Sequence, residues 1–172
     1  SELAWEHICE RYERSARTRS FLEYFWTVRS MHAPLFVMAR AAASIPPARA
    51  FHVVSTGFAG FLGALLQKKR RRPLILTEHG IYSKERSIEL LQATWIRDDD
   101  DGGDDVDGQH HAIGFFRQMW IRFFEALGRM SYEAASPIIA LYEGNRRRQI
   151  RDGADPRRTR VVPNGIDHAR LA

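Results

Sequence analysis

Short apolar segments that alternate with segments of helical periodicity are the feature of this sequence that most restricts its fold. The apolar segments are "AFHVV", "PLILT", "PIIALY" and "RVVPNG", and helical patterns separate them along the chain. Strands that are continuously apolar and alternate with helices form parallel sheets covered by helices. The sequence therefore predicts an α/β domain, in which a parallel sheet carries helices on both faces.

Apolar residues at a spacing of three to four predict the helices between these strands. Residues 1–47 form a helical segment that the consecutive prolines Pro46 and Pro47 end. Further helices are predicted over "FAGFLGALLQ", "ERSIELLQATW" and "IGFFRQMWIRFFEALGRMSYEAA". The last one, within "EGNRRRQIRDG", is expected to end at Gly153, because glycine is the usual residue just after a helix.

Three polar turns follow the first three predicted strands. They are Ser55-Thr56-Gly57, the segment that begins at His79, and Glu143-Gly144. Ligands of open parallel sheets bind in the crevice beyond the carboxyl ends of the strands. We therefore expect these turns to share one edge of the sheet.

His79 leaves two interpretations open. Its imidazole either faces a ligand at the strand end or is a structural group bonded to backbone there. His52, within the "FHVV" strand, is expected to be packed in the core. Glu143 is either a crevice residue or an acid favoured at the start of a helix. Arg86 either steers an anionic ligand or caps a solvated loop.

The net charge of +5 and the sequence pI of about 9.8 raise the question of a nucleic-acid partner. The basic runs at Lys68–Arg72 and Arg146–Arg148 lack the interleaved aromatic residues that stack on bases. These runs are typical of solvated surface, so we expect no nucleic-acid binding.

Cys9 is the only cysteine, so an internal disulfide is excluded and a reducing compartment is favoured. The longest apolar stretch, Met31 to Ile45, contains Pro34 and Arg40 and is too short to span a bilayer. We expect a cytoplasmic protein. The chain begins at Ser1 without a methionine, which suggests a piece of a longer protein.

The segment 98–109 is rich in aspartate and glycine, and we expect a flexible acidic loop there. Its spacing fails the twelve-residue calcium pattern, since Gly102 stands where a ligand is needed and Gln109 stands where the bidentate glutamate belongs. No nucleophile elbow, no phosphate-binding glycine loop and no metal site is predicted from the residues.

The segments "STGFAG", "LTEHGIY", "YEGNRRRQIRDGA" and "RVVPNGID" together resemble family-four retaining glycosyltransferases of the GT-B fold. Among these, the sequence is similar to the glycosyltransferases of Pel exopolysaccharide biosynthesis, which act in biofilm formation. The similarity extends from about Phe21 to the end of the chain and implies part of the N-terminal, acceptor-side Rossmann-like domain, over residues 1–172. The segment 163–172, which contains "PNGID", would then begin the linker to a second domain.

The resemblance implies that His79, which ends the "T-x-H-G" strand, lies close to the transferred sugar and is the catalytic candidate. The turn residues Ser55, Thr56 and Gly57 and the acid Glu143 are candidate substrate-binding residues. The other candidates for donor or acceptor contacts surround His79 in sequence: Glu78, Gly80, Tyr82, Lys84, Glu85 and Arg86.

The implied activity is transfer of a hexose from a nucleotide sugar, UDP-glucose by resemblance, to a growing exopolysaccharide, without a cofactor or metal. The implied partners are the donor, the glycan acceptor, a second Rossmann-like domain and membrane-bound polysaccharide synthesis proteins that hold the enzyme at the inner face of the membrane. The chain alone is expected to be inactive and to associate. The alternative is a non-catalytic interaction module of a polysaccharide-assembly complex.

Overall fold

The computed structural model of the protein describes residues 2–96 and 113–165. The helices within these residues are α1 (Glu2–Ser15), α2 (Phe21–Ser44), α3 (Gly57–Arg70), α4 (Tyr82–Gln92), α5 (Phe115–Ala134) and α6 (Glu143–Arg151). The strands are β1 (Phe51–Val53), β2 (Leu74–Glu78), β3 (Ile138–Ala140) and β4 (Thr159–Val161). The predicted acidic loop at 98–109 and residues 166–172 of the predicted linker lie outside the described residues.

The four strands form one parallel sheet in the order β1-β2-β3-β4. Each strand pairs with the next one in sequence, and Val53 pairs with Leu76 while Glu78 pairs with Ala140. This arrangement confirms the predicted α/β class with a Rossmann-like parallel sheet flanked by helices. It also brings the loops that follow β1, β2 and β3 to the same edge of the sheet, because parallel strands all end there.

The predicted N-terminal helical segment is two helices, α1 and α2, rather than one. Ser20 begins α2 with an extended backbone, and its hydroxyl accepts a hydrogen bond from the Glu23 N–H at 3.4 Å. Serine followed by glutamate three positions later is the capping-box pattern. The helix ends where Ile45 is extended, since Pro46 disfavours a helical conformation in the residue before it.

Two apolar cores hold the chain together, and α5 belongs to both. The N-terminal part of α5 packs with α1, α2 and α4 around Tyr24, Leu90, Phe116 and Phe124. The C-terminal part places Tyr132 against the sheet, among Leu74, Leu76, Ala135, Ile138 and Ala154. This single 20-residue helix therefore connects a helical cluster to the sheet.

One face of the sheet receives the side chains of α3, α5 and α6. Every second residue of β2 points to this face, and these residues are buried: Leu74, Leu76 and Glu78. On the second face Ile75, Thr77 and Ile139 are half-buried, and His52 is exposed. The sequence predicts helices on both faces of the sheet, and the described helices cover one of them.

The expectation that His52 is packed is wrong. Its ring is exposed on the second face, with Nε2 2.9 Å from the Thr77 hydroxyl oxygen on the neighbouring strand. The physical reason is the period of two along a strand, which turns His52 away from the face that Phe51 and Val53 share with Leu74 and Leu76.

Candidate functional site

The carboxyl edge of the sheet brings together the three turns that the sequence places there. The turn after β1 is joined to the end of β2 by a hydrogen bond of 3.2 Å from the Thr56 hydroxyl to Oε1 of Glu78. The start of α6 is joined to the same strand end, where Nδ2 of Asn145 donates to the His79 carbonyl at 3.2 Å. Residues after β1, β2 and β3 therefore form one continuous rim.

His79 follows the last residue of β2 and is exposed. Among the described residues its imidazole makes no hydrogen bond, whereas its backbone carbonyl accepts one from Asn145. The interpretation as a structural histidine whose ring is bonded to backbone therefore does not fit. The ring is instead an exposed imidazole on a fixed backbone, with both nitrogens available to a ligand.

Glu78, directly before His79, has the opposite environment and is 1% exposed. Its Oε2 accepts hydrogen bonds from the Tyr132 hydroxyl at 2.8 Å and from Nε2 of Gln149 at 3.0 Å. The Thr56 hydroxyl and the backbone N–H of Tyr82 also donate to the carboxylate. One buried acid thus connects the starts of α3 and α4 with α5 and α6.

Burial raises the pKa of Glu78 above its ordinary value, and the hydrogen bonds from Gln149, Tyr132, Thr56 and Tyr82 counteract part of this rise. Burial also raises the pKa of Tyr132, and the negative charge of Glu78 adds to the effect. Both pKa values rise for the same reason, since a low-dielectric interior disfavours the charged form of each group.

Glu78 therefore lies beneath the rim and not on it, contrary to its expected surface position. Adjacent residues of a strand point to opposite faces, so Glu78 follows Leu74 and Leu76 into the interior while His79 does not. Hydrogen-bond donors of the protein surround its carboxylate. The role that remains for Glu78 is to fix the residues of the rim in place.

The turn after β1 is partly buried as well. Thr56 precedes α3 and is 1% exposed, but its side chain does not cap the helix, because its hydroxyl donates to Glu78. Gly57 has φ of +68°, and a Cβ there would overlap the ring of Tyr82. Ser55 is half-buried at the rim. Thr56 and Gly57 thus serve close packing beneath the surface, and Ser55 is the residue of this turn with partial access.

The segment expected as a loop after Gly80 is helical from Tyr82, so Lys84, Glu85 and Arg86 lie in the first turns of α4. Lys84 and Glu85 are exposed, and the Glu85 carboxylate closes over Gly80, where a side chain would collide with it. Tyr82 is half-buried with its ring 6.0 Å from that of Phe124. The available groups of this segment are therefore Lys84 and Glu85.

Arg86 caps no solvated loop, which overturns one of its two interpretations. Its guanidinium lies 5.1 Å from the centroid of the Phe124 ring and pairs with Glu89. The helical period turns this side chain onto α5, where a cation above an aromatic face is attracted to it. A role in steering an anionic ligand stays a prediction.

Glu143 is the first residue of α6 and is exposed. Its Oε1 lies 3.1 Å from Nη1 of Arg146 and 3.4 Å from Nε of Arg147. An acid in the first helical turn, paired with bases three and four residues later, stabilises the helix start. The structure thus supports the helix-start interpretation, and a contact with substrate stays a prediction.

Sequence reasoning missed three residues of this region: Asn145, Gln149 and Tyr132. Asn145 and Gln149 are buried polar residues four apart, on one face of α6. That spacing, within an otherwise charged helix, was a signal for an inward polar face. Tyr132 belongs to an aromatic helix, and its contact with Glu78 could not be inferred from local sequence.

Residues 1–157 match a protein family described as a domain of unknown function, DUF3492. The chain belongs to this family. Domains of the DUF3492 family are found in the N-terminal regions of family-four-type glycosyltransferases. The match includes α1 to α6 and every rim residue named above. A comparison with curated proteins finds no match to the chain.

Two further properties of this DUF3492 domain concern metals and membranes. Within residues 2–96 and 113–165, no three His, Cys, Asp or Glu side chains are arranged to hold a metal ion. In the same part of the chain, no helix combines the length and apolar character needed to cross a bilayer. A reaction without metal stays a prediction.

Proposed function

We propose that this chain is the acceptor-side N-terminal domain of a retaining GT-B glycosyltransferase. The full enzyme would transfer a hexosyl group from a nucleotide sugar, UDP-glucose by resemblance, to a growing exopolysaccharide of the Pel type. Membership of a family found in glycosyltransferase N-terminal regions supports the reaction class. The observation that carries the proposal is the exposed His79 ring at the carboxyl end of a central parallel strand.

His79 is proposed to hydrogen-bond a hydroxyl of the transferred sugar. Retaining transfer proceeds through an oxocarbenium-like state, which requires groups fixed around the sugar before the reaction and stabilisation of the departing phosphate. An imidazole donates or accepts according to its protonation state, and Asn145 holds the His79 backbone in place. Lys84 and Glu85 are the exposed polar residues closest in sequence to His79, and they are proposed to contact donor or acceptor.

Glu78 is proposed to fix the position of His79 and not to touch substrate. Four donors from three helices and a turn hold its carboxylate, so the end of β2 cannot shift without breaking a buried network. A site that must keep its groups in place gains from such buried support, because errors of about 1 Å reduce catalysis strongly.

The nucleotide of the donor is proposed to bind mainly to a second Rossmann-like domain, with no metal or cofactor. On this proposal the 172 residues alone do not transfer sugar. The full enzyme would act in biofilm polysaccharide synthesis in the cytoplasm, held at the inner face of the membrane by its partners. Turnover of UDP-sugars by the isolated chain would contradict this assignment.

The test replaces His79 by alanine in the full-length protein and measures turnover of UDP-glucose. We expect a loss of at least about 100-fold in kcat, the size typical of a positioned polar group at a reaction centre. The free energy of unfolding should change little, because the exposed ring makes no hydrogen bond within the described residues. His52→Ala is the matched control: it removes another exposed histidine on the adjacent strand and should leave turnover intact.

A non-catalytic interaction module is the second candidate. Large apolar side chains on α1 and α2 are exposed, among them Leu3 at 78%, Leu22 at 64% and Phe36 at 68%. Apolar surface of this kind favours contact with another protein. If the unmodified full-length protein turns over no UDP-sugar, the catalytic proposal fails and this candidate gains support. Normal turnover by the His79→Ala enzyme would remove only the role proposed for His79.

A further inference from the structure

A cavity of about 290 Å³ lies between α4, α5 and α6, on the helix-covered side of the sheet. It is separate from the rim, although Tyr132 forms part of its wall while its hydroxyl bonds Glu78. Gly128 forms another part of the lining. A Cβ added at Gly128 would meet no atom within 4 Å, so the absence of a side chain there leaves open space.

Two arginines at this cavity have no counter-ion among residues 2–96 and 113–165. Arg129 on α5 and Arg151 at the end of α6 line it, and both are exposed. No carboxylate of the described residues lies within salt-bridge distance of either guanidinium. Both side chains therefore offer all their N–H donors to a ligand that enters the cavity.

A third arginine is held in place beside them. Nε of Arg148 lies 2.8 Å from Oδ1 and 3.0 Å from Oδ2 of Asp152, and the Ser83 hydroxyl donates to Oδ2 at 3.1 Å. The charge of Asp152 is thereby compensated within the wall. Glu125 is the other acid of the lining and is exposed. The described lining residues thus carry three arginines and two acids, which is an excess of positive charge.

We propose that this cavity is a binding site for a phosphate group. Guanidinium groups bind phosphate through paired N–H donors in a planar fork, and this geometry is the reason that arginine is preferred at phosphate sites. A cavity with partial enclosure strengthens such contacts by excluding water. The site is independent of the proposed sugar transfer, because it uses neither His79 nor any other exposed rim residue.

The test measures binding of inorganic phosphate to the full-length protein by titration calorimetry, against chloride at matched ionic strength. The double variant Arg129→Gln/Arg151→Gln should bind phosphate at least about tenfold more weakly, the loss expected when charge-assisted hydrogen bonds are removed. The control Arg122→Gln/Arg160→Gln removes two exposed arginines elsewhere on the same domain and should bind as the unmodified protein does.

A second variant tests the cavity without a change of charge. Gly128→Leu should occupy the open space next to α4 and reduce phosphate binding to a similar extent. Absence of phosphate binding above the chloride background, or equal binding by both arginine variants, would overturn the proposal.

The phosphate group has two sources, a soluble phosphorylated molecule or a lipid headgroup. Sedimentation with phosphatidylglycerol vesicles, compared with phosphatidylcholine vesicles, separates them. Vesicle binding that the Arg129→Gln/Arg151→Gln variant loses would support a headgroup. Phosphate binding in the calorimeter without vesicle binding would support a soluble ligand.

Discussion

The hydroxyl of Tyr132 donates a hydrogen bond of 2.8 Å to Oε2 of Glu78, although the two residues are 54 positions apart in the chain. Tyr132 lies in the last turns of α5, and Glu78 is the final residue of β2. This contact links the helical cluster to the strand end that carries His79. Disturbing it should therefore alter both the stability of the domain and the geometry of the rim.

Tyr132→Phe removes one donor and leaves the buried carboxylate with a lone pair unsatisfied. We expect the free energy of unfolding to fall by about 1 to 3 kcal/mol, the usual cost of a lost hydrogen bond to a buried charged group. Urea denaturation at pH 7 measures it. Tyr142→Phe is the control, because Tyr142 is 57% exposed and should lose almost nothing. Equal losses of unfolding free energy in the two variants would show that the hydrogen bond from Tyr132 to Glu78 does not stabilise the domain.

The stability of the domain should depend on pH through Glu78. Its pKa in the folded state is raised above the ordinary value of 4.5, so the folded protein holds this proton more tightly than the unfolded chain does. The stabilisation is complete below pH 4.5 and is lost as pH rises through the raised pKa.

Glu78→Gln removes the titrating group and should flatten this part of the pH profile, while Glu89→Gln on the surface of α4 should leave it unchanged. Urea denaturation between pH 4.5 and pH 8 gives the comparison. A variant profile as steep as that of the unmodified protein would assign the pH dependence to other groups.

Gly57→Ala should destabilise the domain by about 1 to 3 kcal/mol, since a non-glycine residue at φ of +68° is strained. The added methyl group would also overlap the Tyr82 ring. Gly128→Ala is the matched control on α5, where the methyl group meets no atom within 4 Å. That change should stabilise the helix by about 0.5 to 1 kcal/mol. Thermal unfolding of both variants measures these changes. If Gly57→Ala is as stable as the unmodified protein, the positive φ assigned to Gly57 is contradicted.

Arg117 holds the C-terminal end of α4 against α5. Its guanidinium donates to the carbonyl of Leu90, to that of Leu91 at 3.1 Å and to that of Ala93 at 3.2 Å. Arg117→Met keeps much of the aliphatic stem but loses these bonds, so the last turn of α4 should open more often. Hydrogen exchange of the amides of Glu89 to Gln92 should accelerate by at least about tenfold, which corresponds to one or two lost hydrogen bonds.

Arg122→Met provides the comparison, since Arg122 is exposed on the same helix. Unchanged exchange in the Arg117 variant, or equal acceleration in both, would show that α4 is held by its apolar contacts alone.

The local patterns predicted the strands and their parallel arrangement because both depend on short-range periodicity. "PLILT" is apolar without interruption and is followed by a helical pattern, so a buried parallel strand was the simplest solution. The position of His79 at the carboxyl edge follows from the same argument. The side on which Glu78 lies was also encoded, because Glu78 lies two and four residues after Leu76 and Leu74 and so points to the same face. The sequence did not show the hydrogen-bond partners that a buried acid needs.

The start of α4 shows where local signals were insufficient. "EHGIYSK" contains glycine and polar residues that favour a loop, yet α4 begins at Tyr82. Packing of Tyr82 and Arg86 against Phe124 stabilises this turn, and tertiary contacts of that kind override weak local propensity.

The sequence by itself determined the order of helices and strands, the parallel sheet and the edge at which the polar turns meet, since each depends on residues within about one helical turn or one strand of each other. The tertiary structure alone decided that Glu78 is buried among Thr56, Tyr132 and Gln149. It also decided that His79 beside it is exposed, with a ring that bonds to no other part of the chain that the structure describes. A buried carboxylate is tolerated only when donors from distant parts of the chain reach it. Whether these donors lie close to the carboxylate depends on how the helices pack on the sheet.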